Sequence, residues 1–137
     1  MNNIKRSELL FTAAQECLVH AKISFENKAW NISIRRSQEV VELELTAILA
    51  LMGVHYPKDH DQAPLALRVL KANNFDLGKD AQKIEYISAD LSRKRGPALH
   101  QEEGYNKEEA KKALEDAEFV ILKIQEIRKK LLKEIRK

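Results

Sequence analysis

Apolar residues return every three or four positions along most of this chain, the period of a helix with one buried face. Leu9, Leu10, Ala13, Ala14, Cys17, Leu18, Ala21 and Phe25 form such a double row, which predicts a helix from Ser7, a candidate N-cap, to about Glu26. A second helix is expected from near Lys28 to Met52, with Gly53 as its C-cap. Its stripe of Trp30, Ile34, Val41, Leu45, Ile48 and Met52 is widened by Val40, Leu43, Ala47 and Leu51. A helix apolar on more than one side belongs in the middle of a bundle, so this one is predicted to be central. Pro57 disfavours helix on both sides and makes Val54 to Asp61 a loop. A short helix follows from Pro64, with Leu65, Ala66, Val69 and Leu70 on one face, and Asn73-Asn74 stops it.

A fourth helix is predicted over Lys79 to Lys94, burying Ala81, Ile84, Ile87, Ser88 and Leu91, with Gly96-Pro97 breaking or kinking it. The last helix opens at Asn106, an N-cap with Glu109 placed for a capping box. Its stripe from Ala110 to Ile135 spans about seven turns, roughly 40 Å. That exceeds the needs of a small bundle, so its end is expected to pack on a second copy. The fold class is therefore all-α: an up-and-down bundle of about five helices, in one domain spanning residues 1–137.

Composition narrows the setting. Of the 137 residues 33% are charged, with only four glycines and three prolines, a balance that suits helices. The lone cysteine, Cys17, falls on an apolar helix face and reads as a structural thiol. It permits no disulfide within the chain, and a cytoplasmic location is the expectation. No apolar run approaches membrane-spanning length, and Met1 to Arg6 leads into an amphipathic helix instead of a signal peptide. A net charge of +3 does not by itself imply nucleic acid. The basic run from Arg128 to Lys137 could attract phosphates, although cations also suit a helix C-terminus.

Candidate chemistry concentrates between Ala89 and Tyr105, where Arg93 and Arg95 precede His100 at a proline-interrupted helix end. Two other groups read as ordinary surface. His55 and His60 with Asp59 and Asp61 lack a further ligand at metal spacing, so no metal is assigned. Arg36, Glu39 and Glu42 read as salt-bridging partners on a solvated helix face.

Several segments together resemble the HEPN domain family. Phe25 to Trp30 followed by Ser37-Gln38-Glu39-Val40-Val41-Glu42-Leu43 is similar to its bend leading into Gln-Glu-x-x-Glu-Leu. Gly53 to Asp61 is similar to its Gly…Pro-Lys-x-His-Asp loop. Arg95, Tyr105 and Glu109-Ala110, then Ala113-Leu114 and Ala117-Glu118, match its late segment. The resemblance covers about Ser7 to Ile127. It implies a bundle that forms two-fold dimers and acts as a ribonuclease, often a toxin held by a partner, or as a nucleotide-binding module. The implied partner is a small nucleotidyltransferase antitoxin. In ribonuclease members four to six residues separate an Arg from a following His. Arg95 with His100 fits the short spacing here and Arg93 with His100 the long one.

Metal-independent RNA cleavage needs a base for the 2′-OH proton and a cation for the charge developing on phosphorus. An imidazole suits the first and a guanidinium the second. His100 and Arg95 are the catalytic candidates, Arg93 would bind a neighbouring phosphate, and Tyr105 would hydrogen-bond or stack on a base. In-line transfer needs both an acid and a base, which two copies across a dimer axis would supply. Gly96 and Pro97 inside the motif depart from the catalytic pattern, and four histidines among many arginines make the spacing a common coincidence. The expectation is therefore a homodimeric, cofactor-free protein that binds nucleotide or RNA through Arg93 and Tyr105. A metal-independent ribonuclease and a non-catalytic protein-interaction module are the alternatives.

Overall fold

The computed structural model describes residues 1–135; Arg136 and Lys137 of the basic run lie outside the described residues. Five helices form: α1 (Asn3–Glu26), α2 (Trp30–Leu51), α3 (Ala63–Ala72), α4 (Lys79–Leu99) and α5 (Lys107–Ile135). There is no strand among the described residues. α1, α2, α4 and α5 run alternately up and down, with short α3 packed against α2 and α4.

α2 is the hub. Fourteen of its 22 residues are buried, and it packs against each of the other four helices. Ile34, Leu45, Ile48 and Leu49 along its length are fully buried, and small residues bring α1 close: Ala21 and Ser33 meet, with the Ser33 hydroxyl donating to the Ala21 carbonyl at 2.9 Å. α5 contributes Ala110, Ala113, Ala117, Val120, Ile124, Ile127 and Leu131 as one buried stripe. α1, about 36 Å long for its 24 residues, runs antiparallel beside α5; the stripe is buried as far as Leu131, while Leu122 and Ile135 of α5 are largely exposed.

Four helix ends close in the same way. In each, the chain turns through a left-handed residue just past the helix, and the next N–H reaches back five residues to a carbonyl of the last turn. These turn residues are Lys28 (φ 60°), Gly53 (φ 73°), Asn74 (φ 69°) and Gln101 (φ 57°). The back-reaching bonds are Ala29 to Ser24, Val54 to Leu49, Phe75 to Leu70 and Glu102 to Pro97. Glycine and asparagine tolerate this conformation; lysine and glutamine adopt it at a cost of about 1 kcal/mol or more.

Two boundaries differ from expectation. α1 begins at Asn3 because Asn2 caps it, its side-chain oxygen accepting from the Lys5 N–H at 2.9 Å. Ser7 is then an interior, buried residue whose hydroxyl bonds to the Ile4 carbonyl. α4 likewise continues through Gly96 and Pro97 to Leu99. Proline so close to a helix end forfeits only the bond to the Arg93 carbonyl, and burial of Ala98 holds the last turn in place. The capping box of α5 forms as predicted: the Asn106 side chain accepts from the Glu109 N–H at 2.9 Å while Glu109 accepts from the Asn106 N–H at 3.3 Å. None of the described helices is long and apolar enough to cross a membrane.

Candidate functional site

The end of α4, the start of α2 and the loop before α5 meet at one end of the bundle. Asn31, in the first turn of α2, is the clasp. Its amide nitrogen donates to Gln101 Oε1 at 3.0 Å and to the Glu103 carbonyl at 2.7 Å, and its oxygen accepts the Tyr105 N–H at 3.0 Å. A cavity of about 350 Å³ opens here, lined by Lys28, Trp30, Asn31, Gln101, Gly104 and Tyr105. Lys28 and Gln101, the two strained left-handed residues, thus stand on opposite elements bordering one cavity. Burial and the nearby carboxylates of Glu103, Glu109 and Asp90 push the Tyr105 phenol above its usual range, so it is a proton donor at neutral pH.

The α4 candidates face different ways. Arg93 is 68% exposed and, among the described residues, bonds only to Asp90 at 3.1 Å, an (i, i+3) pair on its own helix. Arg95 is 19% exposed and turns toward α2, donating to Gln38 Oε1 at 2.8 Å with Glu39 3.7 Å away. His100 ends the helix, exposed, and its ring makes no hydrogen bond among the described residues. At 3.6 residues per turn, Arg95 and His100 point about 140° apart around the axis, whereas Arg93 and His100 are within about 20°. By helix periodicity alone Arg93 and His100 fall on one side of α4, and no contact among the described residues joins His100 to either Arg93 or Arg95.

Arg95 instead completes a polar chain along α2. Gln38, almost wholly buried, accepts from Arg95 and donates to Glu42 Oε1 at 3.0 Å and to the His60 carbonyl at 3.2 Å. His60 Nδ1 lies 2.7 Å from the same Glu42 oxygen. Arg36 and Glu39 do pair at 3.0 Å, but this face of α2 is half-buried beneath α4 and the 57–62 loop. The side chains that organise the region, Gln38, Glu42, His60 and Asn31, were not singled out as site residues. The Gln-Glu-x-x-Glu-Leu pattern was the available signal for the first two.

A family model for the HEPN domain matches residues 7–127 of the 137. The chain belongs to the HEPN domain family. No curated protein and no solved structure matches it. Within this HEPN domain the Gln38–Glu42 pattern has a physical role: it ties α4 and the 57–62 loop to α2, and so fixes where the arginines of α4 stand. Cys17 is half-buried, and burial followed by the Glu39 charge raises its thiol above the usual range, which keeps it protonated and unreactive. No group of three or more His, Cys, Asp or Glu among the described residues is placed to hold a metal ion.

Proposed function

We propose that this HEPN domain binds a nucleotide or single-stranded RNA at the end of α4, with Tyr105 and Arg93 as principal contacts. One observation carries the reading: the cavity beside Tyr105 is bordered by Lys28 and Gln101, residues that hold unfavourable backbone conformations. Strain of this kind concentrates at binding sites, where rigidity of the site outweighs its cost to stability. The volume suits a nucleobase, Tyr105 and Trp30 offer aromatic surface, and exposed Arg93 can reach a phosphate. In this reading the protein is a homodimer and pairs with a small nucleotidyltransferase as its antitoxin. Purified protein should show a higher melting temperature with added nucleotide, and Tyr105→Ala should remove that gain. Equal melting with and without any of the four nucleoside monophosphates, or with a short RNA, would refute it.

A second reading, metal-independent ribonuclease, is favoured by the spacing of Arg93 and His100, two exposed residues that helix periodicity sets on one side of α4. There His100 is the base and Arg93 the phosphate-binding cation, while Arg95 would have to leave Gln38 to act. RNA cleavage in EDTA that His100→Ala abolishes, without change in melting temperature, would establish catalysis in place of simple binding.

A further inference from the structure

The opposite end of the bundle, where α1 begins and α2 ends, holds a cavity of about 410 Å³. Asn3 and Arg6 of α1, Gly53, and His55, Tyr56 and Lys58 of the following loop line it. No acidic residue does. Arg6, His55 and Lys58 form no ion pair among the described residues. The site lies about 33 Å along α2 from Asn31, counting 22 residues at about 1.5 Å each, so it is separate from the α4 end.

Two features there oppose what stability alone would select. The first turn of α1 carries no acid; it carries Lys5 and Arg6 instead, which sets two cations against the positive end of the helix dipole. Arg6 is held without a carboxylate: its Nε donates to the Tyr56 hydroxyl at 3.0 Å, its Nη2 donates to the same oxygen, and the guanidinium lies 5.6 Å from the ring centre. The Tyr56 oxygen, already accepting from Arg6, keeps its own proton to donate, and that proton finds no acceptor among the described residues. Gly53, whose left-handed φ of 73° closes α2, lies beside Asn3: a Cβ there would come 2.8 Å from the Asn3 side-chain nitrogen. The charged side chains of the lining are thus cations with no carboxylate to meet them, set beside apolar Ala50 and Val54.

We propose that this cavity is an oxyanion site that takes a phosphate group, with Arg6 and Lys58 supplying charge and Tyr56 and Asn3 supplying neutral donors. The inference is independent of what Arg93, His100 and Tyr105 do. The competing explanation is that these cations merely offset the C-terminal carbonyls of α2, whose last turn has no basic residue.

The test is an NMR titration of the full 15N-labelled chain with sodium phosphate, against sodium chloride at matched ionic strength. Saturable shifts of the Gly53 and His55 amides are expected with phosphate only. Lys58→Gln and Arg6→Gln should each weaken that binding roughly tenfold, the scale of one charge-assisted contact. Should Arg6→Gln disturb the fold, Lys58→Gln lies in a loop and still decides the matter. Parallel titrations with adenosine monophosphate and a short RNA distinguish a free phosphate from a polynucleotide backbone. Absence of saturable shifts with all three, or binding unaltered in a folded Lys58→Gln protein, would overturn the proposal.

Discussion

Glu44 stands in the middle of α2 with no exposed surface, facing α5. Its Oε1 accepts from Gln125 Nε2 at 3.1 Å, while its Oε2 has no hydrogen-bond partner. Burial lifts this carboxyl from the usual 4.5 to about 7, against partial relief from Gln125 and the Arg128 charge. An acid that holds its proton more tightly when folded loses stability on ionising. Between pH 4.5 and about 7 the unfolded chain releases the Glu44 proton and the folded chain does not. Stability from this group is therefore fully present below pH 4.5, falls as pH rises, and is lost above about 7. At about 1.4 kcal/mol per pH unit across that interval, the total is about 3 kcal/mol. Glu44→Gln removes the ionisation and keeps the acceptor for Gln125. Its new amide meets no acceptor, which costs about 1 kcal/mol at every pH. Urea denaturation followed by circular dichroism at pH 5, 6, 7 and 8 isolates the effect, since other titrating groups cancel between wild type and variant. Relative to wild type, the variant should gain about 2–3 kcal/mol between pH 5 and pH 8. A difference that stays flat across this range would show that Glu44 is ionised or solvated in the folded chain, and the reasoning would fail.

Further outcomes follow from the ends of the helices. Asn31→Ala breaks three hydrogen bonds that hold residues 101–105, and should cost about 1–3 kcal/mol in denaturant melts while releasing the loop to proteolysis; a protein as stable and as resistant as wild type would contradict the clasp. Lys28→Gly relieves the left-handed lysine and should raise stability by about 0.5–1 kcal/mol while weakening nucleotide binding. Unchanged affinity in that variant would separate the strain from the site. Pro97→Ala restores a donor to the Arg93 carbonyl and should stabilise by about 1 kcal/mol with no gain in helical signal. A marked rise in helicity would mean that α4 ends before Pro97.

Much of this fold could be read residue by residue because the interactions that decide it are local. Asn106 and Glu109 are three residues apart, so their capping box needs nothing from the rest of the chain. Gly53 and Asn74 mark helix ends because their own backbone freedom allows the left-handed turn. α2 shows its central place through apolar residues on several sides, a property of its own sequence. The two boundaries that differ reflect local competitions. Asn2 outbid Ser7 as a cap from five residues upstream, and Pro97 lay too near the helix end to break it.

The candidate site was less legible. Arg93, Arg95, His100 and Tyr105 could be named, but nothing nearby in sequence showed that Arg95 would turn to Gln38, 57 residues away, or that Asn31 would hold Tyr105, 74 residues away. Those pairings depend on how far each helix is rotated about its own axis, and that rotation is set by burial of Ile34, Leu45, Ile87 and Leu91 in a shared core. Local residue patterns were enough to say which segments are helices, where most of them stop and which one lies at the centre. Only packing decided which polar side chains meet, because a helix must first fix its apolar face before its polar residues acquire neighbours.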